Sequence, residues 1–394
     1  MATMRRHIVT GIDIGSSLIR VVVVAYSKHD APQVLATASA ESRGLRHGYI
    51  VNFDEAVESI RTVLAEAEKK IDTRITRAFL AIGGVSLVAS PNEASIAVSK
   101  ADGEVTALDV ERVLALCENN LRTSANNRVI HTIPLMYKVD GKKVLGKPLG
   151  MKGSILDVRA LFITCLDQHL ETLVRAVETA GVRVEDVAAA PIAASLVTLT
   201  KHQRTVGCLL ANIGAETVSI AVFEENQPVS LQVFPLGSTD ITSDIALGLK
   251  IPLEEAEDMK LHRERTISSR KKLDEIIVAR LSDMFELIEA HLKKIGRNGL
   301  LPAGIVITGG GAGLEMIEQL AKSSLRLPAR IASLVHPKSL THGANGISIK
   351  DASWAVAYGL CILGLTAEED DAMHVKFLQQ TKSGFLSWIK QFLP

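Results

Sequence analysis

Alternating apolar and polar residues open the chain and predict a β-meander. Three such runs, HIVTGIDIG, SLIRVVVVAYS and APQVLATASAES, are separated by glycine or by a polar turn around residues 28–32. Period-two alternation bounded by turn residues is typical of strands. Asn52 then occupies a helix N-cap position with Glu55 three residues later, which predicts a helix that ends near Lys70.

The same pattern recurs about two hundred residues later in the chain. The run VGCLLANIGAETVSIAVFEENQPVSLQVFPLG alternates strand and turn in the same order, and its NIG turn at 212–214 echoes DIG at 13–15. This period is longer than that of solenoid repeats. The duplication predicts two related halves that face each other across a cleft.

The segments around these repeats have other patterns. Short strands, a helix near 109–123 and turn-rich stretches such as VDGKKVLGKPLGMKG predict a small domain inserted between residues 77 and 164. Helical spacing of apolar residues predicts further helices over the segments 167–180, 191–199, 269–295 and 353–365. The polar stretch 368–383 begins EEDD and predicts an extended linker.

Composition restricts the classes of function. The 394 residues are 47% hydrophobic with 44 basic and 44 acidic side chains, so the chain is globular and no overall charge favours nucleic acid. The four cysteines form no CxxC pair and are expected to be buried free thiols in a reducing cytoplasm. No signal peptide is predicted, and the longest uncharged stretch, 352–367, is shorter than the ~18 to 20 residues of a membrane span. Any membrane contact is therefore expected from one side.

Two turns carry candidate phosphate-binding groups. In GIDIGSS, the backbone N–H groups and hydroxyls of Gly15, Ser16 and Ser17 are available to a phosphate, and Asp13 is placed to hold Mg²⁺ through water. Such a hairpin alone is more often an ordinary β-turn. Its pairing with NIGAET favours a phosphate site over an ordinary turn, because a second turn is then available to bind the same phosphates. The residues of this second turn are Gly214, Ala215, Glu216 and Thr217.

A third glycine-bearing segment, VITGGGAGLEMIEQL, reads as a buried strand, a glycine run and an amphipathic helix. Glycines at a helix start allow a base or ribose to lie against the backbone. A dinucleotide-fold interpretation of this G-x-G is disfavoured, because the run lacks the ~30-residue βαβ unit and the ribose-binding acid of that fingerprint.

The order DIGSS, NIGAET, TGGGAGL resembles the actin, Hsp70 and sugar-kinase superfamily. Four further segments, GLRHGYIVNFDEA, RVIHTIPLMYKVDGKKVLGKPLGMKG, ITSDIALGL and AEDMK, narrow the resemblance to the bacterial cell-division family FtsA over essentially the whole chain. This resemblance implies an α/β, actin-like (ribonuclease H-like duplicated) two-lobed fold with an inserted FtsA-type small subdomain and a C-terminal amphipathic helix. The implied boundaries are 1–79 and 166–200 for the first lobe, 80–165 for the insert, 201–367 for the second lobe with a small, shortened subdomain around 250–300, 368–383 for a flexible linker, and 384–394 for the helix.

The resemblance also implies ATP and Mg²⁺ as ligands and assigns residues to them. The first phosphate loop would comprise Asp13, Gly15, Ser16 and Ser17, and the second Gly214, Ala215, Glu216 and Thr217. The nucleoside would meet Glu257, Lys260, Gly309, Gly310, Gly311 and Leu314. Without the resemblance, Glu257 and Lys260 are better interpreted as an i,i+3 surface pair.

Two departures from the family pattern affect function. The family's second loop usually begins with aspartate and continues with glycines, whereas this chain has Asn212, Ala215 and Glu216. The missing acid weakens the magnesium side, and Glu216 would repel phosphates unless it turns outward. We therefore expect ATP binding with little or no hydrolysis. The join 262–272 is also shorter than in the family, which puts in question the small subdomain used for docking FtsZ.

The last residues, GFLSWIKQFLP, have the spacing of an amphipathic helix. One face would carry Phe385, Trp388, Ile389, Phe392 and Leu393, whereas Lys382 and Lys390 would face anionic lipid. One such helix binds a membrane weakly, so many copies along a filament would be needed. The alternative is a helix that docks on its own domain.

These patterns leave three functional hypotheses. The leading one is an ATP-bound protomer that polymerises at the cytoplasmic face of the cell membrane, at the division site. It would bind the FtsZ C-terminal peptide and other division proteins but no nucleic acid. A small-molecule kinase of the same superfold would need a carboxylate base near the γ-phosphate, where Asn212 stands. A pilus-assembly scaffold of the PilM type would bind a membrane-protein peptide, but its docking through partners makes the aromatic tail unexpected.

Overall fold

The computed structural model describes residues 7–26, 32–121, 126–262, 270–334, 349 and 351–374. Its strands, in chain order, are β1 (His7–Ile14), β2 (Leu18–Tyr26), β3 (Gln33–Glu41), β4 (Leu45–Arg46), β5 (Tyr49–Ile50), β6 (Arg77–Ile82), β7 (Val88–Ala97), β8 (Asn127–Val139), β9 (Lys142–Val144), β10 (Ile155–Leu166), β11 (Arg183–Ala189), β12 (Cys208–Ile213), β13 (Val218–Glu224), β14 (Gln227–Phe234), β15 (Ile305–Thr308) and β16 (Ala329–Ile331). Its α-helices are α1 (Phe53–Ile71), α2 (Ala107–Asn119), α3 (Asp167–Thr179), α4 (Ala190–Thr198), α5 (Lys201–Val206), α6 (Ser238–Leu249), α7 (Leu253–Leu261), α8 (Arg270–Lys294), α9 (Ile317–Leu325) and α10 (Ala355–His374).

Two five-stranded sheets have the same topology. The first has the order β3-β2-β1-β6-β11 and the second β14-β13-β12-β15-β16. In the first sheet, β1, β2 and β3 form an antiparallel meander, and β6 and β11 extend the sheet parallel to β1. In the second sheet, β12, β13 and β14 form the meander, and β15 and β16 extend the sheet parallel to β12. The duplication predicted from the repeated turns is confirmed.

Both faces of these sheets are buried, so the molecule is layered. On β2, Val21 and Val23 pack against the outer helices α1 and α3, whereas Val22 and Val24 point into a central core. The second sheet is covered on its outer face by α6, α8 and α9. Helices α4 and α10 occupy the central core between the two sheets.

Helix α10 differs from its predicted place at the end of the second lobe, 201–367. It packs on β1, β2 and β6 of the first sheet and on α4. A Cβ at Gly11 would lie 2.2 Å from the Ala357 carbonyl oxygen, and one at Gly359 would lie 1.9 Å from the Ala193 carbonyl oxygen. Backbones in such close contact leave no room for a side chain, and this explains the glycines.

The end of α10 also lies beyond its predicted boundary. Because the helix continues through His374, the segment 368–374 is helical instead of being part of an extended linker. The rest of the predicted linker and the predicted helix 384–394 lie outside the described residues. Among the described helices, none is long and apolar enough to cross a bilayer.

The inserted subdomain is an antiparallel sheet of order β7-β10-β8-β9, covered by α2. A capping box between Thr106 and Asp109 starts α2, which ends at Asn119, before the predicted limit at residue 123. Strand β6 pairs with β1 and β11, so residues 80–82 belong to the first sheet and the insert begins after the predicted boundary.

The region predicted as a small subdomain around 250–300 contains the helices α7 and α8 in its described part. Helix α8 packs against α6 and α9 and belongs to the core of the second lobe. The greater part of the short join 262–272 lies outside the described residues.

We expect Gly359→Ala to lower the free energy of unfolding by about 3 kcal/mol, because the added methyl overlaps the Ala193 carbonyl and separates α10 from α4. Urea unfolding followed by circular dichroism measures this change. Gly313→Ala is the matched control, since its Cβ meets no atom within 4 Å. Equal unfolding midpoints for the two variants would contradict the packing argument.

Candidate nucleotide-binding cleft

A cleft of about 420 Å³ opens where the central strands β1 and β12 end. Every residue predicted to face a nucleotide lines this cleft: Asp13, Gly15, Ser16, Ser17, Gly214, Ala215, Glu216, Thr217, Glu257, Lys260, Gly309, Gly310, Gly311 and Leu314. The fold thus brings together the three glycine-bearing segments singled out in the sequence.

The two phosphate loops have the same backbone turn. The Gly15 N–H donates to the Leu18 carbonyl at 3.2 Å, and the Gly214 N–H donates to the Thr217 carbonyl at 2.8 Å. Gly15 N–H, predicted to face a phosphate, is therefore used by the turn itself. In the described part of the chain, no protein acceptor engages the N–H groups of Ser16, Ser17 or 215–217. Adjacent free N–H groups are the donors from which anion-binding concavities are built, and each lobe has such a set.

The first loop carries an acid and a cation side by side. Asp13 pairs with Arg20 across β1 and β2, and both line the cleft. Burial raises the Asp13 pKa to about 6, and the Arg20 charge partly opposes that rise. The Arg20 guanidinium lies 5.8 Å from the Trp354 ring centroid. Sequence reasoning missed Arg20, although the hairpin register alone places it opposite Asp13.

The second loop has neutral residues at the equivalent positions. Asn212 pairs with Ser219 across β12 and β13, in the same register as Asp13 and Arg20 across β1 and β2. The two lobes therefore present matching loops with different charges, and only the first contributes a carboxylate and a guanidinium at this point.

Lys260 has a structural role beside the cleft. Its side chain is only 4% exposed, and its ammonium donates to Glu257 at 2.7 Å, to the Ser238 carbonyl at 3.1 Å and to the Thr242 hydroxyl at 2.7 Å. An ammonium has three N–H donors, so all are satisfied within the protein. The pair with Glu257 exists as the i,i+3 spacing predicts, but only the glutamate, which is 45% exposed, lies at the surface.

Helix α6 supports the second loop from behind. The Ser238 N–H donates to the Gly214 carbonyl at 2.9 Å, and the Thr239 N–H donates to the Ala215 carbonyl at 2.8 Å. A Cβ at Gly237 would lie 2.2 Å from the Ala215 carbonyl oxygen. Together with the Lys260 bond to Ser238, these contacts fix the loop in place.

The glycine run has two different roles. A Cβ at Gly309 would lie 2.3 Å from Asn212 Oδ1, and one at Gly311 would lie 2.5 Å from Ile213 Cγ2. These two glycines allow the chain to pack on β12, and both line the cleft, where their contact with a ligand stays a prediction. Gly310 has nothing within 4 Å of its Cβ position and borders the open cleft.

The Glu216 side chain lines the cleft and reaches the first lobe. Its carboxylate accepts a hydrogen bond from the His47 N–H, and the His47 Nδ1 lies 3.1 Å from the Glu216 carbonyl oxygen. The first lobe thus holds the carboxylate, and the repulsion of phosphates expected from its charge stays a prediction.

Two family models match this chain: cell division protein FtsA over 209–359 and the SHS2 domain inserted in FTSA over 84–164. The chain belongs to the FtsA family of cell-division proteins. The FtsA of Pseudomonas aeruginosa is 28% identical over 384 residues, which cover 92% of this chain and 90% of the relative. The FtsA of Bacillus subtilis is 29% identical over 371 residues, which cover 89% and 81%.

Solved structures show the fold. The PilM–PilN type IV pilus biogenesis complex matches with a TM-score of 0.69 at 19% identity, over 91% of this chain and 98% of that one. MreB 5 of Spiroplasma citri bound to AMPPNP matches with a TM-score of 0.55 at 13% identity, over 94% and 99%. The predicted actin-like fold with its inserted subdomain is confirmed.

We expect the nucleotide-free chain to lose stability as Asp13 ionises. The pKa is about 6 in the folded protein and 3.8 in an ordinary aspartate, so the native state holds the proton longer. The free energy of unfolding therefore falls as the pH rises through this interval. Relative to Asp13→Asn, the wild type should lose about 2 kcal/mol between about pH 4 and about pH 7. Urea unfolding of both proteins measures the difference between their free energies of unfolding. A difference that does not change with pH would contradict the raised pKa of Asp13.

Proposed function

We propose that this chain binds Mg·ATP in the cleft and acts as a self-assembling cell-division subunit at the cytoplasmic face of the cell membrane. There it would hold FtsZ through the FtsZ C-terminal peptide and meet other division proteins. The observation that carries the nucleotide part is the pair of matching turns, whose free N–H groups line one cleft. Membership of the FtsA family supports the division part.

The cleft residues suit a magnesium nucleotide. The free N–H groups of both turns would bind phosphate oxygens, and the Arg20 guanidinium adds a positive charge that matches their geometry. No group of three or more His, Cys, Asp or Glu forms a metal cluster in the described part of the chain. Mg²⁺ needs no such cluster, because it binds through one or two carboxylates, water and substrate phosphates. Asp13 would hold the ion through water, and the bound ion would neutralise phosphate charge.

The same residues support slow or absent hydrolysis. A general base must be free to accept a proton, and the cleft lining offers carboxylates as the candidates for this role. Asp13 is assigned to the magnesium ion, the Glu216 carboxylate accepts from the His47 N–H, the Glu257 carboxylate is paired with the Lys260 ammonium, and Asn212 cannot act as a base. This arrangement also disfavours a small-molecule kinase, which requires such a base for its acceptor.

Membrane binding is proposed from the sequence of the tail, 384–394, which lies outside the described residues. The spacing of its sequence would place five large apolar side chains on one helical face, and that face would enter the headgroup boundary. A single short helix binds weakly, so the tail is effective when many copies are linked. Self-assembly is therefore part of the proposal.

We expect electron microscopy of the full chain with Mg·ATP on an anionic lipid monolayer to show filaments. A chain truncated after Thr381 should lose binding to the monolayer because it lacks the apolar face, whereas its ATP-dependent sedimentation in solution should be unchanged. Monolayer binding that survives the truncation would show that the tail is not the anchor.

Multi-turnover ATP hydrolysis by the purified chain, abolished by Asp13→Ala, would contradict the proposed slow turnover.

A further inference from the structure

One two-residue turn touches both phosphate loops. His47 and Gly48 connect β4 to β5, and we call them the bridging turn. The Gly48 N–H donates to the Ser16 hydroxyl at 3.0 Å in the first loop, and the His47 N–H donates to the Glu216 carboxylate in the second. The two adjacent N–H groups therefore reach opposite walls of the cleft.

The local backbone makes both N–H groups available. His47 and Gly48 have φ values of 49° and 84°, and their neighbours Arg46 and Tyr49 pair across the hairpin. Positive φ at both central residues is the pattern of a type I′ hairpin turn. Both central N–H groups donate outside the hairpin, one to each lobe.

The bridging turn is fixed to the first lobe. The His169 Nε2–H donates to the Gly48 carbonyl at 2.9 Å, while the Ser86 hydroxyl lies 3.0 Å from the other ring nitrogen. The Tyr49 ring stacks on His169 with centroids 4.4 Å apart. A Cβ at Gly48 would lie 2.8 Å from the Gly84 Cα, so the turn also packs closely against the backbone. It is therefore a firm support for a contact across the cleft.

The second lobe contributes Glu216 from a supported position. Glu216 follows Ala215, whose carbonyl accepts from α6, so the loop that presents the carboxylate is held from behind. The His47 ring adds a second contact, with its Nδ1 3.1 Å from the Glu216 carbonyl oxygen. Both the side chain and the main chain of Glu216 thus meet the bridging turn.

We propose that Glu216 is a positioning residue that clasps the bridging turn, holds the two phosphate loops at their spacing and slows nucleotide exchange. This inference rests on the proposed binding of nucleotide in the cleft. A nucleotide confined between the two loops leaves when the lobes separate at this end, and separation breaks the Glu216 contacts. A hydrogen bond to a charged acceptor is strong enough that its loss should raise the dissociation rate roughly tenfold or more.

The test is the dissociation rate of mant-ATP from the full-length chain, measured by stopped-flow displacement with unlabelled ATP. Glu216→Ala should release the nucleotide roughly tenfold faster than the wild type or more, and Glu216→Gln, which keeps an uncharged acceptor, should be intermediate. The matched control is Glu286→Ala, because Glu286 is exposed on α8 and is not among the residues that line the cleft. Circular dichroism confirms that each variant is folded.

Hydrogen–deuterium exchange of the nucleotide-free chain provides a readout that needs no nucleotide. Glu216→Ala should speed exchange at the His47 amide and leave the control unchanged. If the wild type binds mant-ATP and Glu216→Ala releases it at the wild-type rate, the positioning role is wrong. If the wild type binds no mant-ATP, the proposed function fails, and the proposed role of Glu216 in nucleotide exchange fails with it. Hydrogen–deuterium exchange at the His47 amide then still reports whether the contact with Glu216 joins the lobes.

Discussion

The close packing of α4 and α10 between the two sheets is the constraint on which the rest of the structure depends. Gly11 and Gly359 let the backbones of β1, α10 and α4 approach without intervening side chains. The shared central core ties two duplicated sheets into one body. Because β1 and β12 then end at the same cleft, two turns that are far apart in sequence become opposing walls of one site.

The repeats differ at the positions where chemistry is expected. The first lobe keeps the Asp13 and Arg20 pair, whereas the second has Asn212 and Ser219 in the same register. The backbone turns are alike, so phosphate binding by N–H groups is available to both lobes. The Asp13 carboxylate and the Arg20 guanidinium have no counterpart at these positions of the second lobe, and the proposal of nucleotide binding with slow turnover rests on this difference.

Local pattern predicted much of this fold. Alternation identified both meanders, and the Asn52 side chain accepts from the Glu55 N–H as the N-cap prediction requires. All the predicted nucleotide-facing residues meet in one cleft, because glycine-bearing turns after buried strands mark the ends of those strands. The strands β4, β5, β11 and β16 are not predicted from the sequence. Three of them have only two or three residues, and β11, with the sequence RVEDVAA, lacks a regular apolar alternation.

The remaining features depend on contacts that no local pattern encodes. Over 355–365, α10 is buried almost all round, so no polar face shows which sheet it meets, and it packs on the first sheet instead of in the predicted second lobe. The packing of Gly309 against Asn212 and the clasp between His47 and Glu216 join distant parts of the chain. Charge alone suggested that Glu216 would repel phosphates, and only the folded geometry gives it a partner.

The most direct test of the central claim is hydrogen–deuterium exchange of the full chain with and without Mg·ATP. If the nucleotide lies between the two loops, the amides of Ser16 and Ser17 and those of 215–217 should gain protection together, because the same phosphates bind both sets. Protection of one loop alone, or of neither while the nucleotide binds, would contradict the account.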